Sequence, residues 1–194
     1  LHHRVAREIA ESSITLLKNR KNLVPLKNKR QRVLVVSPYG SFLKSMSREK
    51  WVTSFPIARI GTRKKRKGYI SQIVSQADGA DVVVFAMTNR YHVHLAKKVL
   101  PLLPGKRVAA VSLGLPYYLK SIPNVDAFLC SYSYRSSSQR AAAQVLKGKL
   151  RPVGRLPVTV PGHYAYGHGL SFSGNQAKRA DILRLRKEQE PVLD

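Results

Sequence analysis

Acidic side chains are scarce in this chain. Ten Asp plus Glu stand against 35 Lys plus Arg, a formal net charge of +25 over 194 residues with a pI near 10.7. Self-repulsion of that size disfavours an isolated compact domain and favours a polyanionic partner, with nucleic acid the first candidate. Cysteine is almost absent. The lone Cys130 excludes an internal disulfide, and its place in an apolar run reads as a small buried hydrophobe, not a nucleophile or ligand. No run of about 18 apolar residues exists, which excludes a transmembrane helix. No Gly-rich phosphate fingerprint follows the V-L-V-V run at 33–36, which argues against a dinucleotide-binding fold. G-x-S-x-G is also missing, so Ser136 to Ser138 form no nucleophile elbow. The chain opens on Leu1 without an apolar signal core, and the expectation is that an upstream piece, such as an organelle transit peptide, has been removed.

What remains is an ordinary globular composition, 43% hydrophobic and long enough for one domain with a proper core. Apolar spacing predicts an amphipathic helix over 2–18, a first strand over 33–36, helices over 69–77 and 92–103, and buried strands over 82–87, 108–113 and 126–133. Ser136 to Ser138 offer N-cap hydroxyls for a helix over 139–147 that Gly148 closes. Residues 41–68 are the least regular, with a candidate strand over 54–60 that Pro56 assigns to an edge. This alternation predicts a three-layer α/β/α sandwich with a mostly parallel sheet over residues 1–173, carrying a basic loop and a basic C-terminal tail over 174–194.

The cations cluster in sequence. One group is Lys18, Arg20, Lys21, Lys27, Lys29, Arg30 and Arg32; a second is the unbroken block Arg63, Lys64, Lys65, Arg66, Lys67; a third is Lys178, Arg179, Arg184, Arg186 and Lys187. Five consecutive cations are expected to stay extended and solvated unless phosphates neutralise them. The tail reads as a basic helix or as an arm that orders on a partner.

The run S-Y-S-Y-R-S-S-S-Q-R-A-A-A-Q-V-L-K-G-K-L-R-P-V-G-R-L-P-V-T-V-P-G, followed by Y-A-Y-G-H-G-L-S-F, resembles the C-terminal domain of glycoside hydrolase family three, which contains β-glucosidases and β-N-acetylhexosaminidases. The opening V-A-R-E-I-A-E-S-S-I-T-L-L-K-N-R-K-N-L-V-P-L resembles the start of that domain, and 80–87 and 108–116 match its middle strands. About 39–69 and everything after 172 stay outside the likeness. The resemblance implies the same sandwich with one antiparallel strand. It also implies a nucleophilic aspartate on a separate barrel domain, which these residues do not contain. In the glucosidase branch a glutamate of the C-terminal domain serves as acid/base; in the hexosaminidase branch a histidine on the barrel does.

A retaining glycosidase needs two carboxylates about 5 Å apart. The only glutamate outside the terminal segments is Glu49, flanked by Arg48 and Lys50, neighbours that suit a surface residue better than a general acid. Asp78, Asp81 and Asp126 read as turn or capping residues. His92 and His94, two apart, would share one face of a strand, but with no acidic or Cys partner nearby they make a poor metal pair, even with His163 and His168 added. No metal or other cofactor is expected, and His168 reads as structural. Tyr117, Tyr118, Tyr132, Tyr134, Tyr164 and Tyr166 follow no base-stacking motif, so RNA contact would go to phosphates and shape.

Charge and family likeness thus give different readings. The first is a non-catalytic, RNA-binding structural subunit of a large ribonucleoprotein, a mitochondrial ribosomal protein reusing a glycosidase domain, with rRNA and neighbouring proteins as partners, no membrane, and no sugar ligand. The second is a detached C-terminal half of a family-three glycosidase, acting with a separate barrel subunit or binding carbohydrate. A basic module on an anionic membrane surface is the weakest, for lack of an amphipathic anchor.

Overall fold

A computed structural model describes residues 2–26 and 30–172. Six strands form one sheet in the order β1-β6-β5-β4-β2-β3. They are β1 (Thr15–Asn19), β2 (Val33–Ser37), β3 (Val52–Pro56), β4 (Val82–Met87), β5 (Arg107–Ser112) and β6 (Ala127–Cys130). All neighbours are parallel except β1, which runs antiparallel to β6. The helices are α1 (His2–Ser13), α2 (Gly40–Met46), α3 (Arg63–Asp78), α4 (Arg90–Val99) and α5 (Ser136–Leu146). The sandwich and its one reversed strand agree with the expected fold.

The period of two along each strand sorts side chains into two cores. Leu34, Val36, Val83, Phe85 and Phe128 face Ile73 of α3 and Leu95 of α4. Val35, Val84, Val111 and Leu129 face Ala10 of α1, Phe42 of α2 and Ala142 of α5. Both faces of the central strands are covered, which is why they are apolar throughout.

Several local expectations are corrected. The first helix stops at Ser13, and the next residues form β1, so the V-L-V-V strand is the second. Leu16 and Leu17 are both fully buried, on opposite sheet faces, an arrangement a strand permits and one helix stripe does not. The span 41–68 contains α2, β3 and the start of α3, and β3 is an edge strand ending at Pro56. The block from Arg63 to Lys67 is the first turn and a half of α3, not an extended loop. The Thr62 hydroxyl caps that helix by accepting from the Lys65 N–H at 3.3 Å. Ser136 to Ser138 lie inside α5 instead of capping it, Arg135 holds the cap position without a side-chain bond, and Gly148 takes the left-handed turn beyond the helix end at φ 72°. His92 and His94 sit on α4, where two-residue spacing points them apart: His92 is buried and His94 exposed.

Candidate functional site at the carboxyl ends of the strands

In a doubly wound sheet, ligands bind outside the carboxyl ends of the strands, where the chain leaves neighbouring strands in opposite directions. Here that point lies between β2, whose connection runs outward to β3, and β4, whose connection runs to β5. Five loops surround it: 38–39, 57–62, 88–89, 113–115 and 131–135.

Buried polar side chains tie these loops together. Gln139, 4% exposed, accepts from the Phe42 N–H at 3.0 Å and donates to the Tyr134 carbonyl, joining the loops after β2 and β6. The Tyr39 and Tyr134 rings consequently stack, with centroids 6.1 Å apart and an interplanar angle of 12°. The Arg59 guanidinium lies over the Tyr39 ring, 5.0 Å from its centroid, and the Arg135 guanidinium is 5.7 Å from the Tyr134 centroid.

On the other side, Asn89 donates from Nδ2 to the Arg59 carbonyl at 2.8 Å and caps α4 by accepting from the His92 N–H. His92 Nδ1 is 3.3 Å from the Thr88 N–H and 3.1 Å from its hydroxyl, while Nε2 is 2.9 Å from the Ala58 carbonyl. The Thr88 amide can only donate, which assigns Nδ1 as acceptor and Nε2 as the protonated nitrogen. Burial holds the His92 pKa below its ordinary value, partly opposed by the Ala58 bond. Tyr118 donates its hydroxyl to the Thr88 carbonyl at 2.8 Å, and burial raises its pKa.

No carboxylate lies in any of the five loops. Arg59, Arg90 and Arg135 are exposed and make no ion pair among the described residues. This edge therefore cannot supply a carboxylate nucleophile or acid from its loops. It is also apolar at its rim: Ile60, Leu115, Tyr117 and Tyr134 are 83%, 55%, 40% and 53% exposed.

Three described acidic residues, Glu49, Asp81 and Asp126, lie at the amino ends of the strands. Glu49 precedes β3, at the amino ends of the strands, 3.7 Å from Lys147 Nζ and 3.4 Å from Lys149 Nζ. Asp81 Oδ2 accepts from the Arg32 N–H at 2.8 Å, and Asp126 Oδ2 from the Val108 N–H at 2.9 Å, the structural roles expected of them. His168 lies 2.9 Å from the Leu17 carbonyl and stacks on Tyr164 at 4.2 Å, and it belongs to a strap, 154–170, that runs along the β1 edge, where the Leu170 N–H donates to the Leu16 carbonyl at 2.8 Å. Cys130 is fully buried, with its pKa pushed up by desolvation.

Among the described residues, the cations singled out from sequence do not converge. Lys18 on β1 donates to the Pro123 carbonyl at 2.6 Å, and Arg20 and Lys21 form the turn after it, next to the amino end of β6. Arg30 and Arg32 lead into β2. Lys64, Lys65 and Lys67 are exposed near the opposite, β3 edge, at the carboxyl end of the sheet, and Arg66 is half-buried with its guanidinium 5.9 Å from the Tyr91 centroid. Arg63 is the first residue of α3. Lys27, Lys29, Lys178, Arg179, Arg184, Arg186 and Lys187 lie outside the described residues. Sequence reasoning passed over Tyr39, Arg59, Asn89, Gln139 and the site role of Tyr134 and Arg135. The available signal was positional, since each lies just past the carboxyl end of an apolar strand or in the following helix.

A family model for the glycosyl hydrolase family 3 C-terminal domain matches residues 14–190. The chain belongs to that family. Solved structures similar to this family-three domain include a β-glucosidase from Erythrobacter marinus (TM-score 0.70, 23% identity, covering 88% of this chain and 35% of that one). A family 3 β-N-acetylglucosaminidase from Paenibacillus sp. str. FPU-7 gives 0.66 and 22%, covering 79% and 32%. A β-glucosidase from Listeria innocua in complex with isofagomine gives 0.66 and 20%, covering 81% and 27%. No curated protein sequence matches the chain. The family-three domain thus spans about a third or less of each of these solved enzymes, and at such identities the likeness concerns the fold.

This membership overturns the ribosomal, RNA-binding and mitochondrial reading, which rested on charge; family and structural neighbours alike are glycosidases. The physical reason is visible in the fold. Helix α3 wraps the Arg63 to Lys67 block around an axis, while Lys18, Arg20, Lys21, Arg30 and Arg32 sit at the other end of the sheet, so among the described residues these two groups form no single phosphate-binding strip.

Proposed function

We propose that this family-three domain is the non-nucleophilic half of a glycosidase site: its carboxyl-edge crevice faces a catalytic barrel, in the same polypeptide or a separate subunit, and closes over the sugar. The observation that carries the reading is the combination at that edge of exposed apolar side chains with loops that hold no carboxylate. Exposed apolar patches mark contact surfaces, and Tyr and Arg are the residues enriched in them. The domain's part is positioning and exclusion of water, performed by the Tyr39–Tyr134 stack and its arginines. With no carboxylate in the five loops, the acid/base is assigned to the barrel, as the resemblance implies for the hexosaminidase branch, so the substrate class is a β-N-acetylhexosaminide.

The test is hydrolysis of p-nitrophenyl β-N-acetylglucosaminide and β-glucoside by the 194-residue chain, alone and with the family-three barrel polypeptide of the same organism. The expected result is no turnover alone and, with the barrel, a rate on the N-acetylglucosaminide at least tenfold above that on the glucoside. Turnover by the chain alone, or failure to associate with the barrel, would sink the proposal; preference for the glucoside would overturn the branch.

A further inference from the structure

At the amino edge of the sheet, remote from the crevice, a cavity of about 380 Å³ opens between the end of α4 and the loop entering β6. Its size falls within the roughly 300–1,000 Å³ typical of small-molecule sites. The walls are Leu100, Pro101, Leu103, Val108, Ile122 and Val125. Two segments produce the gap. A 3-10 turn, Leu100–Leu102, runs into a reversal at Gly105 with φ 74°, and a second, Pro116–Ser121, gives way to the turn at 122–125. Pro101 and Pro123 lack N–H groups, which reduces the donors available at the mouth.

Charge around the mouth is unbalanced. Lys97 and Lys106 line it, and Lys18 lies behind Pro123 with its ammonium on that residue's carbonyl. None of the three is ion-paired among the described residues, although Lys106 donates to the Asp78 carbonyl at 2.8 Å. The one carboxylate in the lining, Asp126, already accepts from the Val108 N–H. Burial lowers the Lys18 pKa, with Arg20 adding to the effect and Asp126 opposing it. Apolar walls beneath under-compensated ammonium groups match a ligand with an apolar body and an anionic head.

We propose that this cavity binds a medium-chain aliphatic carboxylate, its chain between Leu100, Leu103, Ile122 and Val125 and its head group between Lys97 and Lys106. This binding is independent of the sugar crevice and of any barrel.

The test is calorimetric titration of the 194-residue chain with hexanoate, octanoate and decanoate below their micellar concentrations, with decanol and decyltrimethylammonium as neutral and cationic analogues. Decanoate is expected to bind one-to-one, with affinity rising about threefold to fourfold per added methylene. Decanol should bind at least tenfold more weakly and the ammonium analogue not at all. Ser121→Trp, a change at an exposed position of the mouth, should abolish binding with the circular dichroism spectrum unchanged. Lys97→Glu should weaken decanoate about fivefold to tenfold. Lys64→Glu with Lys65→Glu, at the far edge of the molecule, should leave it unaltered. Three results would overturn the assignment: no binding by the unaltered chain, decanol binding as tightly as decanoate, or several equivalents of decanoate weakened equally by the remote pair of substitutions.

Discussion

At the amino edge of the sheet, Asp81 and Asp126 hold backbone N–H groups of the segments beside them and Glu49 lies between two lysines; at the carboxyl edge the five loops contain no acid, and neutral side chains do the tying. The difference separates structural from ligand-facing chemistry. A carboxylate bound to a backbone amide serves to fix a strand entrance. The opposite edge, stitched by Gln139, Asn89 and His92, leaves Arg59, Arg90 and Arg135 without acidic partners among the described residues and tyrosine rings exposed. Asp81, Asp126 and Glu49 thus lie at the end of the sheet opposite those five loops.

Substitutions at the two ends sharpen this contrast. The largest effect is expected at Gly154, whose N–H donates to the Ile14 carbonyl at the amino end of β1, the end of the sheet where the parallel strands finish. A Cβ there would overlap the Ser13 carbonyl, so Gly154→Ala should cost about 3 kcal/mol and lower the thermal midpoint by roughly 10 °C. An unchanged midpoint would mean that the strap is not held as described.

His92→Ala should cost about 2–3 kcal/mol, because the Thr88 amide and Ala58 carbonyl lose their partner in a buried place. The His92 pKa is lowered on folding, so its contribution is complete above the unfolded value of about 6.5 and is lost as pH falls below it. Denaturation midpoints measured from pH 7.5 to 5 should decline in the parent and lose that component in His92→Ala. Parallel profiles would remove His92 from the account.

At the amino edge, Asp126→Ala should cost about 1–2 kcal/mol through the orphaned Val108 N–H, readable as a shifted urea midpoint at constant slope. The smallest change is expected at Gly79, where a Cβ meets only the Arg32 guanidinium at 3.9 Å and φ is −79°. Gly79→Ala should be neutral or stabilising by less than about 1 kcal/mol, and a large loss would show that this end is packed more tightly than described.

Strands β4, β5 and β6 were readable from sequence because V-V-V-F-A-M, V-A-A-V and A-F-L-C are buried on both faces and so apolar throughout. Strand β1 was not. T-L-L-K-N continues the apolar spacing of the helix before it, and only its pairing with β6, more than 100 residues on, makes it extended. The start of helix α3, ahead of the predicted 69–77, was hidden for another reason: its first turn and a half carries five cations that alone would repel one another, and the Thr62 cap and the packing of Ile73 and Ala77 outweigh them. At the crevice, no local pattern marks Gln139 as the side chain that joins two loops. Its partners, Phe42 and Tyr134, are 97 and five residues away.

The sequence by itself determined the sandwich class, the family through its long C-terminal motifs, and the shortage of acids, because strand burial, motif order and composition are carried by neighbouring residues or simple counts. Only the tertiary structure decided where the charge goes. Cations adjacent in the chain are spread around a helix and over both ends of the sheet, and a crevice forms from five loops that are adjacent only because the strands between them pair.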